Sequence, residues 1–395
     1  MGGRGSDYSW PNPLAAQSTA TAPMPTDFRA AHTTDADWQT AVDHCLEQLG
    51  ELPAGANLGF LYVTDAFADS LEDILSRFVA ATGIVAWTGS VGIGILGGNR
   101  EYHERPAISV MIGVFAPDSF RILPTLGAEV DALPDSQRAW IRQTGACFAV
   151  VHADPGNDRM PQLVEELADA LGGFLVGGIT SSRGARRQIA GDVTHGGLSG
   201  VVFSPAVGVT TALTQGCRPF GKVHEITECR RNIAIRLDGR PALEVFNEEV
   251  GEALAGEPSR MAGYIFAALP IRGSDTGDYL VRNLLGVDAG NKMIAIGEHL
   301  TTGDGLQFCR RDRKSAREDL ERMLHDLLAR TGKRARGALY YSCLGRGPHV
   351  FGEDSAEVRM VQEALGDVPL VGFFCNGEIS HRRLYGYTGV LTLFT

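Results

Sequence analysis

Apolar and polar positions recur in one order three times along the chain. An apolar run closes on a polar turn, an amphipathic helix follows, and a second apolar run ends in glycine and small polar residues. The first copy runs from Phe60-Leu61-Tyr62-Val63-Thr64-Asp65 to Ala86-Trp87-Thr88-Gly89-Ser90. The second runs from Cys147-Phe148-Ala149-Val150-Val151-His152 to Gly177-Gly178-Ile179-Thr180-Ser181-Ser182. The third runs from Ala338-Leu339-Tyr340-Tyr341-Ser342-Cys343 to Gly372-Phe373-Phe374-Cys375-Asn376-Gly377-Glu378. Between the runs, Leu71, Ile74, Leu75, Phe78 and Val79 stripe one helix, Leu163, Val164, Leu167 and Leu171 the next, and Val358, Val361 and Leu365 the last. Gly83, Gly172 and Gly366 stand where each helix should stop. After each copy the chain makes a polar excursion and returns as an apolar run, at 107–115, 198–203 and 389–394. The unit therefore reads β-α-β-β, with the returning strand expected antiparallel to its predecessor. The fold class predicted is α/β in the broad α+β sense: mixed sheets of repeated units, covered by helices, in two domains.

Other elements fill the gaps. Trp38, Ala41, Val42, Cys45, Leu46 and Leu49 predict a first helix over 35–49. Residues 233–240 read as a strand into a tight turn, with Pro241 opening a helix through Glu252. The stretch 279–309 reads as successive hairpins. Ser315 and Glu318 form a capping box for a helix that Gly332 ends. Residues 1–30, rich in Gly, Ala, Ser, Thr and Pro, read as a flexible tail. The domains expected are 31–228 and 229–395. Gly92-Ile93-Gly94-Ile95-Leu96-Gly97 matches a dinucleotide fingerprint in letters alone, since a strand and not a helix follows it. It reads as a glycine turn.

Composition narrows the function. A formal charge of −11 argues against broad nucleic-acid binding, which needs a basic face. Seven scattered cysteines, odd in number and without a CxxC pair, fit a reducing, cytoplasmic setting and no structural zinc. No apolar stretch reaches the roughly 18 residues of a membrane span.

Small polar residues collect at the strand ends, so a site is expected there. Arg346 lies between Gly345 and Gly347, where backbone N–H groups and a bidentate donor converge on an anion. Glu378 offers a carboxylate from the neighbouring strand, and the two together suit the carboxylate and ammonium of an amino acid. Their simple pairing with each other is the structural alternative. Cys343, Cys375 and Asn376 flank them, and Thr180 and Ser181 hold the equivalent place in the second copy. A nucleophilic hydrolase or transferase would draw on Ser90, Ser181, Cys343 or Cys375, but no GxSxG elbow and no sequence-linked histidine accompanies them.

These same residues give the chain a likeness. Val176 to Ser181, with the strand Gly200 to Phe203, resembles the N-terminal domain of the FIST family of prokaryotic sensory proteins. Leu237 to Phe246, Cys343 to Gly347, Phe351-Gly352 and Val371 to Ile379 resemble its C-terminal domain. The second copy departs from the pattern at Gly178, Ser182 and Arg183. The resemblance implies a sensory domain for small ligands, amino acids among them, with no cofactor. It implies a separate partner such as a histidine kinase or a cyclic-dinucleotide signalling protein. Some stand-alone members are haem proteins that sense nitric oxide, and for that alternative His381 and His195 are the candidate axial ligands.

Overall fold

The computed structural model describes residues 27–251, 263–271, 278–331 and 335–395. Most of the expected tail, Glu252 and the helix stop at Gly332 lie outside them. Residues 28–30 are not tail, because they begin the strand Phe28–Thr33.

Each copy of the repeat builds one mixed sheet. In the first, Leu58–Thr64 and Trp87–Gly92 run parallel, and the return strand Ile108–Gly113 lies antiparallel to Leu58–Thr64. The same order joins Phe148–Ala153, Phe174–Ile179 and Leu198–Phe203, and again Gly337–Cys343, Leu370–Cys375 and Thr388–Phe394. The return strand thus pairs with the first strand of its unit, not with its predecessor. On its other side lies a strand the repeat pattern missed: Phe28–Thr33, Phe120–Leu126 or Val209–Gln215.

The excursion before each return strand is a hairpin that leaves its own sheet. Gly94–Gly97 and Arg100–His103 extend the third sheet beside Leu370–Cys375. Gln188–Ala190 and Asp192–Thr194 extend the first beside Trp87–Gly92. Glu378–His381 and Arg383–Tyr385 extend the second beside Phe174–Ile179. Each hairpin covers an edge that would otherwise expose unpaired backbone. Gly94–Gly97 is accordingly an exchanged strand and not a turn.

The three sheets face a common core with their helices outside. Along Leu58–Thr64, Phe60 and Tyr62 point to the shared centre while Leu61 and Val63 point to the helices. Burial of both faces explains why these runs are apolar throughout. At the centre one polar residue from each copy meets the others: Tyr62 Oη lies 2.7 Å from Tyr341 Oη and 3.3 Å from His152 Nε2.

Gly89, Gly177 and Gly372 hold one equivalent position. A Cβ there would sit 1.8 Å from the carbonyl oxygen of Leu61, Val151 or Tyr340, respectively. Gly177→Ala, at φ +144°, is expected to lower unfolding stability by ~2 kcal/mol or more in urea titration. Gly184→Ala, with open space around it, should change little. Equal stability of the two variants would contradict this close approach of the strands.

Between Val209–Gln215 and the helix Arg313–Thr331 the third copy carries an inserted body. Its seven-stranded sheet runs Cys217–Arg230, Gly305–Arg311, Ile265–Pro270, Tyr279–Asp288, Met293–Ile296, Ile233–Leu237 and Arg240–Pro241. Pairing of Cys217–Arg230 with Ile233–Leu237 closes it into a barrel. The helix Ala242–Val250 packs Val245 and Phe246 onto the barrel core, with Pro241 as its cap and not its first turn. The division expected after residue 228 falls inside the strand Cys217–Arg230. In the helix after the barrel the cap is Asp312, not Ser315. Its carboxylate accepts from Ser315 N at 2.9 Å and Ser315 Oγ at 2.7 Å. Among the described residues no helix is long and apolar enough to cross a membrane.

Candidate ligand-binding site

The parallel strands of the third sheet end side by side, Cys343 opposite Cys375. From Cys343 the chain turns through Gly345-Arg346-Gly347 into the short helix Pro348–Phe351. From Cys375 it turns through Asn376-Gly377 into the exchanged strand Glu378–His381. Arg346, Glu378 and the two cysteines are thereby gathered at one sheet end.

Arg346 is only 1% exposed. Its Nε donates to Glu357 Oε1 at 2.8 Å, and its guanidinium lies 5.0 Å from the centre of the Phe351 ring. Glu357, in the first turn of the helix Ala356–Leu365, also accepts from Tyr340 Oη at 2.6 Å, Ser342 Oγ at 2.9 Å and Gly347 N at 2.8 Å. Burial opposes the charge on Arg346, but the Glu357 carboxylate outweighs it, and the guanidinium stays firmly protonated. Nη1 and Nη2 nevertheless have no hydrogen-bond partner, although both are buried.

Glu378 is fully buried and makes no ion pair among the described residues. Thr388 donates to its Oε2 from N at 3.0 Å and Oγ1 at 2.6 Å, and the Cys375 thiol donates to Oε1 at 3.4 Å. Burial pushes its pKa up to about 7, against the pull of Thr388, the Cys375 thiol and the Arg346 charge. Arg346 and Glu378 therefore do not close on each other. The partner of Arg346 is Glu357.

The cysteines are poor nucleophiles here. Burial first, and the Glu378 carboxylate next, raise both thiols well above their ordinary range. A protonated thiol is an inert one. Ser90 Oγ lies 2.8 Å from Thr180 Oγ1, and Ser181 Oγ donates to Phe374 O at 2.6 Å and accepts from Ile93 N at 2.9 Å. Thr180 and Ser181 are thus engaged in tying the copies together. Asn376 is exposed, its backbone N–H bonded to Ile179 O at 2.9 Å.

The two histidines considered for haem lie apart, in separate open hollows. His381 stacks on Phe174 at 5.1 Å in a hollow of about 490 Å³ shared with Asp169 and Arg382. His195 borders one of about 510 Å³ with Asp154, Arg186 and Arg187. Charged, open walls do not fit a porphyrin, which needs an apolar enclosure, so no step is assigned through haem.

The equivalent strand ends of the other copies satisfy themselves. Asp65 takes Arg183 from two nitrogens, at 2.8 and 2.9 Å, and Asp154 accepts the N–H groups of Gly156 and Gly196, both at 2.7 Å. Sequence reasoning missed Glu357 and Thr388. Glu357 did carry a signal: it precedes Val361 by one helical turn and so sits on the apolar stripe.

Two family models match most of the chain. Residues 57–240 match the family model described as FIST N domain, and residues 242–381 match FIST C domain. The chain is 30% identical over 370 residues to the uncharacterized protein Rv0628c of Mycobacterium tuberculosis strain H37Rv, covering 90% of this chain and 94% of that one. It is also 30% identical over 363 residues to the uncharacterized protein Mb0898c of Mycobacterium bovis, covering 88% and 92%.

Proposed function

The chain belongs to the FIST family, whose domains are generally sensory domains of signal-transduction proteins, and on that premise we propose that it binds an amino acid between Arg346 and Glu378. The observation that carries this reading is the pair of buried, unpartnered nitrogens Nη1 and Nη2 of Arg346. A buried donor without an acceptor is costly, and a guanidinium fork is shaped for a carboxylate. The ligand's carboxylate takes both nitrogens, while its ammonium faces Glu378, the carboxylate that has no cation of its own. In this reading Cys343 and Cys375, which end the two neighbouring strands, flank the ligand, and Asn376 stands at the rim. Binding proceeds without catalysis, in keeping with the protonated thiols. The partner class we propose, from the family resemblance, is a histidine kinase or a cyclic-dinucleotide signalling protein.

Calorimetric titration with the twenty L-amino acids tests the reading. Arg346→Lys keeps a cation for Glu357 but loses the fork. It is expected to weaken binding by ~10–100-fold, the loss of one charge-assisted hydrogen bond. Wild-type affinity in this variant would overturn the assignment, as would the absence of binding by every amino acid.

A further inference from the structure

The barrel meets the rest of the chain at the Arg346 turn, through both of the segments that join them. Gly216 links Val209–Gln215 to the first barrel strand and lies against the guanidinium. A Cβ there would sit 2.5 Å from Tyr387 O and 3.4 Å from Arg346 Nη1. At the other junction Arg311, the last residue of Gly305–Arg311, donates from Nη1 to Gly345 O at 3.1 Å. Its guanidinium lies 5.6 Å from the Tyr387 ring centre and 6.0 Å from that of Phe266, and those two rings are 4.5 Å apart.

Tyr387 is the matching contact from the Glu378 side. Its hydroxyl donates to Asn283 Oδ1 of the barrel at 2.8 Å, and its backbone stands at φ +62°, which a bulky residue adopts only under constraint. The next residue, Thr388, donates twice to Glu378. Gly345 completes the closure: a Cβ on it would meet Tyr387 Cε1 at 2.9 Å and Arg311 Nη1 at 3.4 Å. Both poles of the pocket therefore touch the barrel, Arg346 through Gly216 and Gly345, Glu378 through Thr388 and Tyr387.

We infer that the barrel gates this pocket, with Arg311 and Tyr387 as the closing pair over the Arg346 turn; the inference rests on reading the pocket as the ligand site. Arg346 is enclosed, so no ligand reaches its free nitrogens until something moves. The strands that end at the pocket are held by continuous ladders, whereas the barrel meets them through a few separate hydrogen bonds (Arg311 to Gly345 O, Tyr387 to Asn283, Arg282 to Leu384 O and Gly216 N to Tyr387 O) and one ring stack. The weaker contact opens first. A ligand that engages Arg346 and Glu378 then sets where the barrel sits, and occupancy is carried outward as a change in barrel position.

Cys343 reports the gate. Cys343 is half-buried, the backbone N–H groups of Gly345 and Tyr387 point at its sulfur, and parting them exposes the thiol further. The full-length protein is labelled with iodoacetamide at alkaline pH, and the Cys343 and Cys375 peptides are followed by mass spectrometry. In Arg311→Ala, and in Tyr387→Gly, where glycine accepts the positive φ, Cys343 is expected to label ~10-fold faster than in the wild type, the effect of losing a hydrogen bond or stack. Cys375, in the core, stays unlabelled and reports an intact fold. Cys343 rates within ~2-fold of wild type in both variants would overturn the gate, since an opening pair must alter access. Faster labelling that none of the twenty L-amino acids slows would keep the gate and reject the amino-acid reading.

Discussion

Glu357→Gln is expected to lower the unfolding free energy by about 3–5 kcal/mol, the range for removing one partner of a buried ion pair. The physical reason is the guanidinium left behind. Arg346 is fully enclosed, and Glu357 is its sole ion-pair partner among the described residues. Glutamine still offers an oxygen to Tyr340, Ser342 or Gly347, so lost hydrogen bonding is the smaller part of the effect. Urea titration at neutral pH measures the change, provided the transition stays two-state. The double variant Arg346→Met with Glu357→Gln removes the stranded charge and should regain most of the loss, because neutral replacements of buried pairs are well tolerated. It should also fail to bind any ligand that needs the fork. A Glu357→Gln protein within ~1 kcal/mol of wild type would mean that Arg346 finds another partner.

The second large effect is in the pH dependence of stability. Glu378 titrates at about 7 in the fold against an ordinary 4.5. The folded state thus holds the proton more tightly, and the stability this gives is complete below pH 4.5 and is lost as pH rises through 7. At about 1.4 kcal/mol per unit the loss is roughly 3 kcal/mol. His152 behaves oppositely: burial lowers it to about 3 from an ordinary 6.5. It is neutral in the fold, so its contribution is complete above pH 6.5 and is lost as pH falls toward 3, by roughly 5 kcal/mol. Between pH 4.5 and 6.5 the two slopes cancel, and a plateau is expected in urea titrations across that window. Glu378→Gln removes one slope. Its stability should fall steadily from pH 6.5 downward, and at pH 8 it should exceed wild type by up to ~3 kcal/mol. A variant with the same plateau as wild type would show that Glu378 is not the proton-binding group.

Both effects depend on residues whose roles were unequally legible. The pairing of apolar runs with helical stripes marked the strand ends, and the strand ends pointed to Arg346 and Glu378. Glu357 looked like an ordinary acidic residue in a first helical turn, where a carboxylate is favoured beside the helix dipole. Its position on the apolar face was visible, but its partner was not. Ser315 and Asp312 show the same limit at short range. The capping box pointed to Ser315, but in the fold Ser315 itself donates to Asp312, from N at 2.9 Å and from Oγ at 2.7 Å.

What the sequence alone determined is local. The 3.6-residue stripes, the doubly apolar strands and the glycines that stop helices specify three β-α-β units, because each signal involves residues within a few positions of one another. The family likeness, too, rests on contiguous runs. Only the tertiary structure decided which edges join. The hairpins cross from sheet to sheet, and the return strands choose the first strand of their unit over the second. An edge has no preference written in its own residues beyond the need to be covered. The same holds for the site. A buried charge pairs with whatever the fold brings within reach, and the fold brought Glu357 to Arg346, left two nitrogens free, and laid the barrel across them.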